Sequence, residues 1–255
     1  MIFLSNDRKR IYMLDEIRGF AILCMIVHHT FLDIGDLLGL SWGYTVFDKL
    51  CVVQPIFWGI FIIISGMCTR LSRNAKKRGL LVCLCAGAIT LVTAVIMPMM
   101  KFEECEIYFG VLHCLGVCMV ITGLLMPLID KIDYRIGAGV SLLLFFVFYG
   151  IDNRTMLLGA VNLPNGLYVN DIFAPLGFHS PSFYSADYFP ILPWIFLFLF
   201  GAFVGKIARD DNLPEIMYNK HSKLLSFVGR NSLWFYLAHQ PVIYAVLLII
   251  AFIIV

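Results

Sequence analysis

Two adjacent histidines, His28 and His29, sit inside the first long apolar stretch of the chain, ten and eleven residues after Arg18. An ionisable group at bilayer depth costs at least a few kcal/mol, so it is usually kept for a task. In a helix, eleven residues make about three turns, which sets His29 on nearly the same face as Arg18 and about 16 Å deeper. Imidazole exchanges a proton near neutral pH, so the chemistry on offer is acid–base catalysis or proton relay. Two later apolar stretches carry His113 and His239, the latter followed by Gln240 and Pro241. If the three spans face one another, their imidazoles line a polar cavity in the middle or outer half of the membrane.

Each of these residues also has a purely structural reading. His28 is rotated by about 80° from Arg18 and suits a hydrogen bond to a neighbouring helix. His113 suits the same use, and His239 can satisfy the carbonyl that Pro241 releases. Asp187 and Tyr188, just before another apolar run, are either interfacial anchors or contacts for an acceptor molecule, with Tyr184 beside them. One histidine with Cys114 and Cys118 makes a poor zinc site, and no metal is expected. The run from Arg70 through Arg73 and Lys77 to Arg78 sets topology and attracts anionic lipid. It would equally suit a cytosolic ligand with several phosphates, and Arg230 is a further candidate for that role. No P-loop, dinucleotide-binding glycine signature or nucleophile elbow stands in a suitable context.

The elements that must position these groups follow from composition. A chain of 255 residues that is 60% hydrophobic and 14% charged is an integral membrane protein. The expected fold class is all-α, a polytopic membrane helical bundle forming one domain over 1–255. About seven transmembrane helices are expected, near 17–38, 50–69, 79–98, 108–129, 135–150, 188–207 and 231–253. With the N-terminus cytoplasmic and the C-terminus outside, sixteen of the nineteen Lys and Arg residues fall inside, leaving Lys49, Lys101 and Arg154 outside. Arg8, Lys9 and Arg10 before the first apolar run look like the start of a signal peptide, but no small-residue cleavage site follows, so an uncleaved span is read. The breaker-rich segment 151–187 is one long outer loop, suited to lie on the membrane or cap a cavity. Most of the eight cysteines fall in apolar segments and read as small hydrophobes; a bridge between Cys51 and Cys105 is conceivable but has no spacing pattern behind it. Expected partners are membrane lipid and small molecules, not nucleic acid, with room for a homodimer.

The stretch Leu14-Asp15-Glu16-Ile17-Arg18-Gly19-Phe20-Ala21 followed by His29 resembles the opening motif of transmembrane acyltransferases, and most closely bacterial proteins related to heparan-α-glucosaminide N-acetyltransferase. The segments Phe57 to Gly66, Phe109 to Gly116, Asp187 to Trp194 and Gly229 to Pro241 extend that resemblance over most of the chain. It implies transfer of an acetyl or other short acyl group from cytosolic acyl-CoA to a hydroxyl or amine of an extracytoplasmic acceptor such as a glycan. The setting would be a plasma membrane, the inner membrane of a bacterium. In that reading His29 is base or acyl carrier, His113 or His239 orients it or steadies the oxyanion, and Arg18 matches the motif arginine. The chain differs from the heparan enzyme in carrying His29 where that enzyme has Asn, and in having no histidine in the loop after the first span. A small-molecule or proton-coupled transporter is the alternative reading of the same histidines.

Overall fold

The computed structural model describes residues 9–101, 105–210 and 213–254; of the cations counted above, Arg8 lies outside them. The architecture is all-α. Its helices are α1 (Tyr12–Leu38), α2 (Ser41–Cys51), α3 (Gln54–Leu71), α4 (Ala75–Leu91), α5 (Met97–Met99), α6 (Val111–Ile129), α7 (Tyr134–Phe148), α8 (Trp194–Arg209), α9 (Lys223–Arg230) and α10 (Ser232–Ile254). Among the described residues one hairpin pairs β1 (Thr155–Met156) with β2 (Val161–Asn162). Two compact units are distinguished: residues 1–64 with 211–255, and residues 65–210.

In the first unit, α1 ends on Gly39 in the left-handed region, whose N–H returns to the Gly35 carbonyl at 3.1 Å. The chain then folds back as α2. Gly43 lies over Phe31 and Gly35, the Tyr44 ring faces Gly35, and the Phe47 ring packs on His28, tilted by 42° with centroids 4.4 Å apart. The expected outer loop after the first span is therefore a helix that descends along the outer half of α1. Residues 52 and 53 interrupt it before α3 starts. Pro55 has no N–H to donate to the Cys51 carbonyl one turn earlier, so α2 and α3 cannot fuse. At the other end of the unit, α9 packs on the start of α1 so closely that a Cβ on Gly19 would fall on the Leu225 carbonyl, and one on Gly229 on the Asp15 carbonyl. Both positions need glycine because backbone meets backbone.

The second unit can be traced by its landmarks. Gly79 of α4 faces Met119 and Val120 of α6, Gly116 faces Cys83, and Thr90 meets His113, so α4 and α6 are antiparallel. Helix α7 starts beside Lys206 and ends where Phe145 meets Trp194, at 5.5 Å between rings. Ile129, Ala138 and Phe203 form the buried centre among α6, α7 and α8.

Six helices among the described residues are long and apolar enough to cross a membrane: Tyr12–Leu38, Gln54–Leu71, Ala75–Met99, Val111–Ile129, Tyr134–Asn153 and Ser232–Ile253. The remaining expected span, 188–207, yields only the 16 residues of α8. Pro190 and Pro193 delay its start, because proline and the residue before it disfavour continuing helix. Alone, α8 covers about 24 Å. Yet the extended residues before it lie along α6: Phe189 N–H donates to the Phe109 carbonyl at 3.0 Å, and the Cys114 thiol to the Pro190 carbonyl at 3.5 Å. At the far end Lys206 Nζ donates to the Asp130 and Ile132 carbonyls, just past the end of α6. Residues 189–206 thus accompany α6 over its whole length.

Segment 151–187 folds as short turns and the hairpin, at the end of the unit where α6 begins. Leu157 N–H donates to the Val147 carbonyl at 2.8 Å, which ties the hairpin to the last turn of α7. Leu157 and Leu158 have φ of 53° and 58°, and Gly159 N–H closes the turn on the Met156 carbonyl. These are the central positions of a type I′ turn, where a side chain costs on the order of 1 kcal/mol per residue. Among the described groups, the exposed Asp171 has its carboxyl held below the usual carboxylate range by the Ser180 N–H, which donates to it at 2.8 Å.

Candidate active site

Helices α1 and α10 run in the same direction from a shared base. There the Arg18 guanidinium donates to the Gly229 carbonyl at 3.4 Å and lies 4.0 Å from Asp15. Its side chain is only 7% exposed, so the helix junction absorbs it, while the adjacent Arg230 is exposed. Glu16 reinforces the base by accepting from the His221 and Ser222 N–H groups at 2.8 and 2.9 Å. His29 stands eleven residues beyond Arg18, and His239 ten beyond Gly229. The near-equal spacing brings the two rings level, with centroids 5.2 Å apart and planes at 53°.

The tautomer of His239 is fixed. Its Nδ1–H donates to the Tyr236 carbonyl at 2.6 Å, because a carbonyl can only accept, and Nε2 therefore carries a lone pair. Among the described residues the ring of His29 makes no hydrogen bond. One turn beyond His29, Asp33 is 1% exposed, and both its oxygens accept from Gln240 Nε2 at 3.1 and 2.9 Å. This pair locks α1 to α10 directly beside the histidines. His28 turns away from α10 towards α2, with Nε2 3.4 Å from the Cys51 sulfur and Nδ1 3.3 Å from the Gln54 amide.

The second unit holds the other candidates. His113 Nδ1 accepts from the Gly110 N–H at 3.1 Å, and Nε2–H donates to the Thr90 hydroxyl at 3.1 Å, which passes its own proton to the Ile107 carbonyl. Both ring nitrogens are thus engaged in fastening the start of α6 to α4. Asp187 accepts from the Val111 N–H at 3.2 Å, also at the start of α6, where its negative charge suits the helix dipole. Tyr188 donates its hydroxyl to the Ala174 carbonyl at 2.7 Å. Tyr184 is half exposed. Arg70 has a side chain only 1% exposed and is ion-paired with Asp130, whereas Arg73 before α4 and Lys77 in its first turn, which Asn74 caps, are exposed.

The chain matches, over residues 10–241, the model of the family described as heparan-alpha-glucosaminide N-acetyltransferase, catalytic. The chain belongs to this family. No curated protein and no solved structure matches it. Membership of the heparan-α-glucosaminide N-acetyltransferase family makes the protein a transmembrane acetyltransferase, and its apolar helices make it an integral membrane protein.

Sequence reasoning singled out His29 and His239, which the fold brings together. It passed over Asp33 and Gln54, and weighed Cys51 only for a bridge to Cys105. The signal for Asp33 was present, since it is an ionisable residue one helical turn from His29 on the same face. Cys51 and Gln54 carried no such signal, because their contact with His28 depends on α2 folding back. No disulfide joins Cys51 to Cys105.

Proposed function

We propose that this acetyltransferase moves an acetyl group from acetyl-CoA, presented from the cytosolic side, to an amine or hydroxyl of an extracytoplasmic sugar, with His29 as general base. The observation that carries the reading is the pairing of His29 with His239 at bilayer depth. Neutral His29 takes the proton of the acceptor as that group attacks the thioester carbonyl. A small rotation brings the other ring N–H of His29 onto Nε2 of His239, which stabilises the imidazolium that forms. Asp33 and Gln240 hold the two helices at that distance.

Charge supports the direction of transfer. In the first unit Lys9, Arg10, Arg18, Lys220, Lys223 and Arg230 gather at the α1–α9 base; in the second, Arg70, Lys76, Lys77, Lys131, Lys206 and Arg209 gather where α6 ends. We take both ends as cytosolic, by the bias of Lys and Arg to the inside. In the unit that holds His29, Arg230 is then an exposed cation available to the phosphates of CoA, whereas Arg18 acts from behind as a buried structural charge. In the second unit the opposite end holds segment 151–187. A bacterial inner membrane suits this arrangement.

The test is His29→Ala in purified protein supplied with labelled acetyl-CoA and a panel of amino sugars. Turnover should fall roughly 10²–10⁴-fold, the usual contribution of a positioned general base. Acetyl-CoA binding measured by calorimetry should persist. Turnover at the wild-type rate would remove His29 from the mechanism.

A further inference from the structure

The His28 cluster is not used by the general-base reading, yet it has the composition of a nucleophile site. Cys51 ends α2, Gln54 begins α3, and the helix break between them opens at the level of His28. The sulfur lies 3.4 Å from Nε2, and the amide of Gln54 lies 3.3 Å from Nδ1 on the opposite side of the ring. His28 itself is buried and covered by Phe47, whereas Cys51 is half-buried beside the exposed Val52 and Val53. A thiol, an imidazole and a carboxamide in that order form the arrangement by which a base activates a cysteine and a third group holds the base.

We infer that Cys51 is an acyl-carrying nucleophile for the acetyl group, with His28 as its base and Gln54 as the residue that orients His28. The inference rests on the acetyl-transfer reading above and divides it into two half-reactions. As placed, the Gln54 amide N–H donates to Nδ1 and Nε2–H faces the sulfur. A half-turn of the amide lets its oxygen accept from Nδ1–H, which frees the Nε2 lone pair for the thiol proton. The sulfur then attacks the acetyl carbonyl of acetyl-CoA as His28 takes that proton. The bond from the carbonyl carbon to the CoA sulfur breaks, and His28 returns the proton to the departing CoA thiolate. One thioester is exchanged for another, leaving S-acetyl-Cys51 and free CoA. In the second half-reaction the acceptor attacks S-acetyl-Cys51, its proton passes to His29, and the Cys51 thiolate leaves and is reprotonated from the imidazolium that His29 has become. His28 and His29 are neighbours with ring centroids 5.7 Å apart, so the two half-reactions share one place.

The experiment incubates the intact wild-type protein with acetyl-CoA and no acceptor, then digests it for mass spectrometry. The expected result is a single added acetyl group on the peptide carrying Cys51, released by neutral hydroxylamine, with one CoA thiol set free per protein. Cys51→Ser, which keeps the shape of the side chain, should carry no such label and should lose roughly a hundredfold or more in turnover while binding acetyl-CoA as before. Wild-type transfer without label on Cys51, or Cys51→Ser turning over within about twofold of wild type, overturns the inference and leaves the general-base reading standing. Failure of the wild type to bind acetyl-CoA at all overturns that reading, and this inference with it.

Discussion

Asp33 shows how a carboxylate is kept inside a membrane helix. Its two oxygens accept from a single amide nitrogen, Nε2 of Gln240, and the Oε1 of that same amide is buried without a partner among the described residues. The donor matters more than the acceptor here, since a buried charge left without donors keeps its full desolvation cost. Gln240→Leu should therefore destabilise the protein by about 2–3 kcal/mol, seen as a fall of several degrees in the thermal midpoint in detergent. Asp33→Asn keeps a carbonyl for Nε2 and removes the charge, so it should stay near the wild type. Adding Asp33→Asn to Gln240→Leu should recover most of the loss, and an unchanged midpoint for Gln240→Leu alone would refute the argument. Legibility at this scale followed chemistry. An imidazole in an apolar run stands out by its residue type, which is why His29, His113 and His239 were visible in sequence. Their partners were not, because hydrogen bonds between helices depend on which faces meet. His113 illustrates the gap: its type suggested chemistry, while its contacts with Gly110 and Thr90 show both nitrogens fastening a helix start.

Among the elements, α9 was the least legible and α2 the most consequential. Both are short, of 8 and 11 residues, and neither is apolar enough to register as a span. Helix α9 exists to be buried against α1: Ser222 caps it by accepting from the Leu225 N–H at 3.2 Å, and Glu16 takes the two N–H groups at its entry. The contact leaves no room for a Cβ at Gly19 or Gly229, and the Arg18 guanidinium closes over the same backbone. Gly229→Val should force α9 away from α1 and lower stability by about 1–3 kcal/mol, as overpacking usually does. Because α10 continues directly from α9, His239 should lose its register with His29, so acetyl transfer should fall further than stability does. Thermal melts in parallel with turnover check this, and full turnover in a stably folded Gly229→Val protein would show that the junction does not set the histidine pair. Helix α2 was expected as an outer loop, yet it brings Cys51 down to His28. Its burial is supplied by Gly35 and Phe31 of α1, contacts made only once the chain reverses at Gly39, which hydropathy alone does not encode.

For the whole molecule, the number of crossings decides which side of the membrane each terminus occupies. Six helices meet the length of a span on their own, and an even count would put both termini on one side. On the proposed topology residues 189–206 add a seventh crossing, because they match α6 from Phe109 to Asp130 although only 16 residues are helical. The extended residues before Trp194 cover the remaining depth, and their polar groups are satisfied by neighbours rather than by lipid: the Phe189 N–H by Phe109, and the Pro190 carbonyl by Cys114. That satisfaction is what lets non-helical backbone sit at membrane depth. Charge gives the same answer, since Lys206 and Arg209 emerge beside Asp130 at the end of the unit that also carries Arg70, Lys76 and Lys77. On that proposed topology, seven crossings with a cytosolic N-terminus place the C-terminus outside. A reporter active only in the periplasm, fused after Val255 and expressed in a bacterium, should therefore be active, and one fused between residues 219 and 220 should be inactive. An impermeant thiol reagent should label a cysteine placed at the exposed Val169 from outside intact cells, and one placed at the exposed Arg73 only after lysis. Activity of the reporter at 219 with silence after 255 would invert the last crossing, and would move the base of the α1–α10 pair to the opposite side from the donor it is proposed to receive.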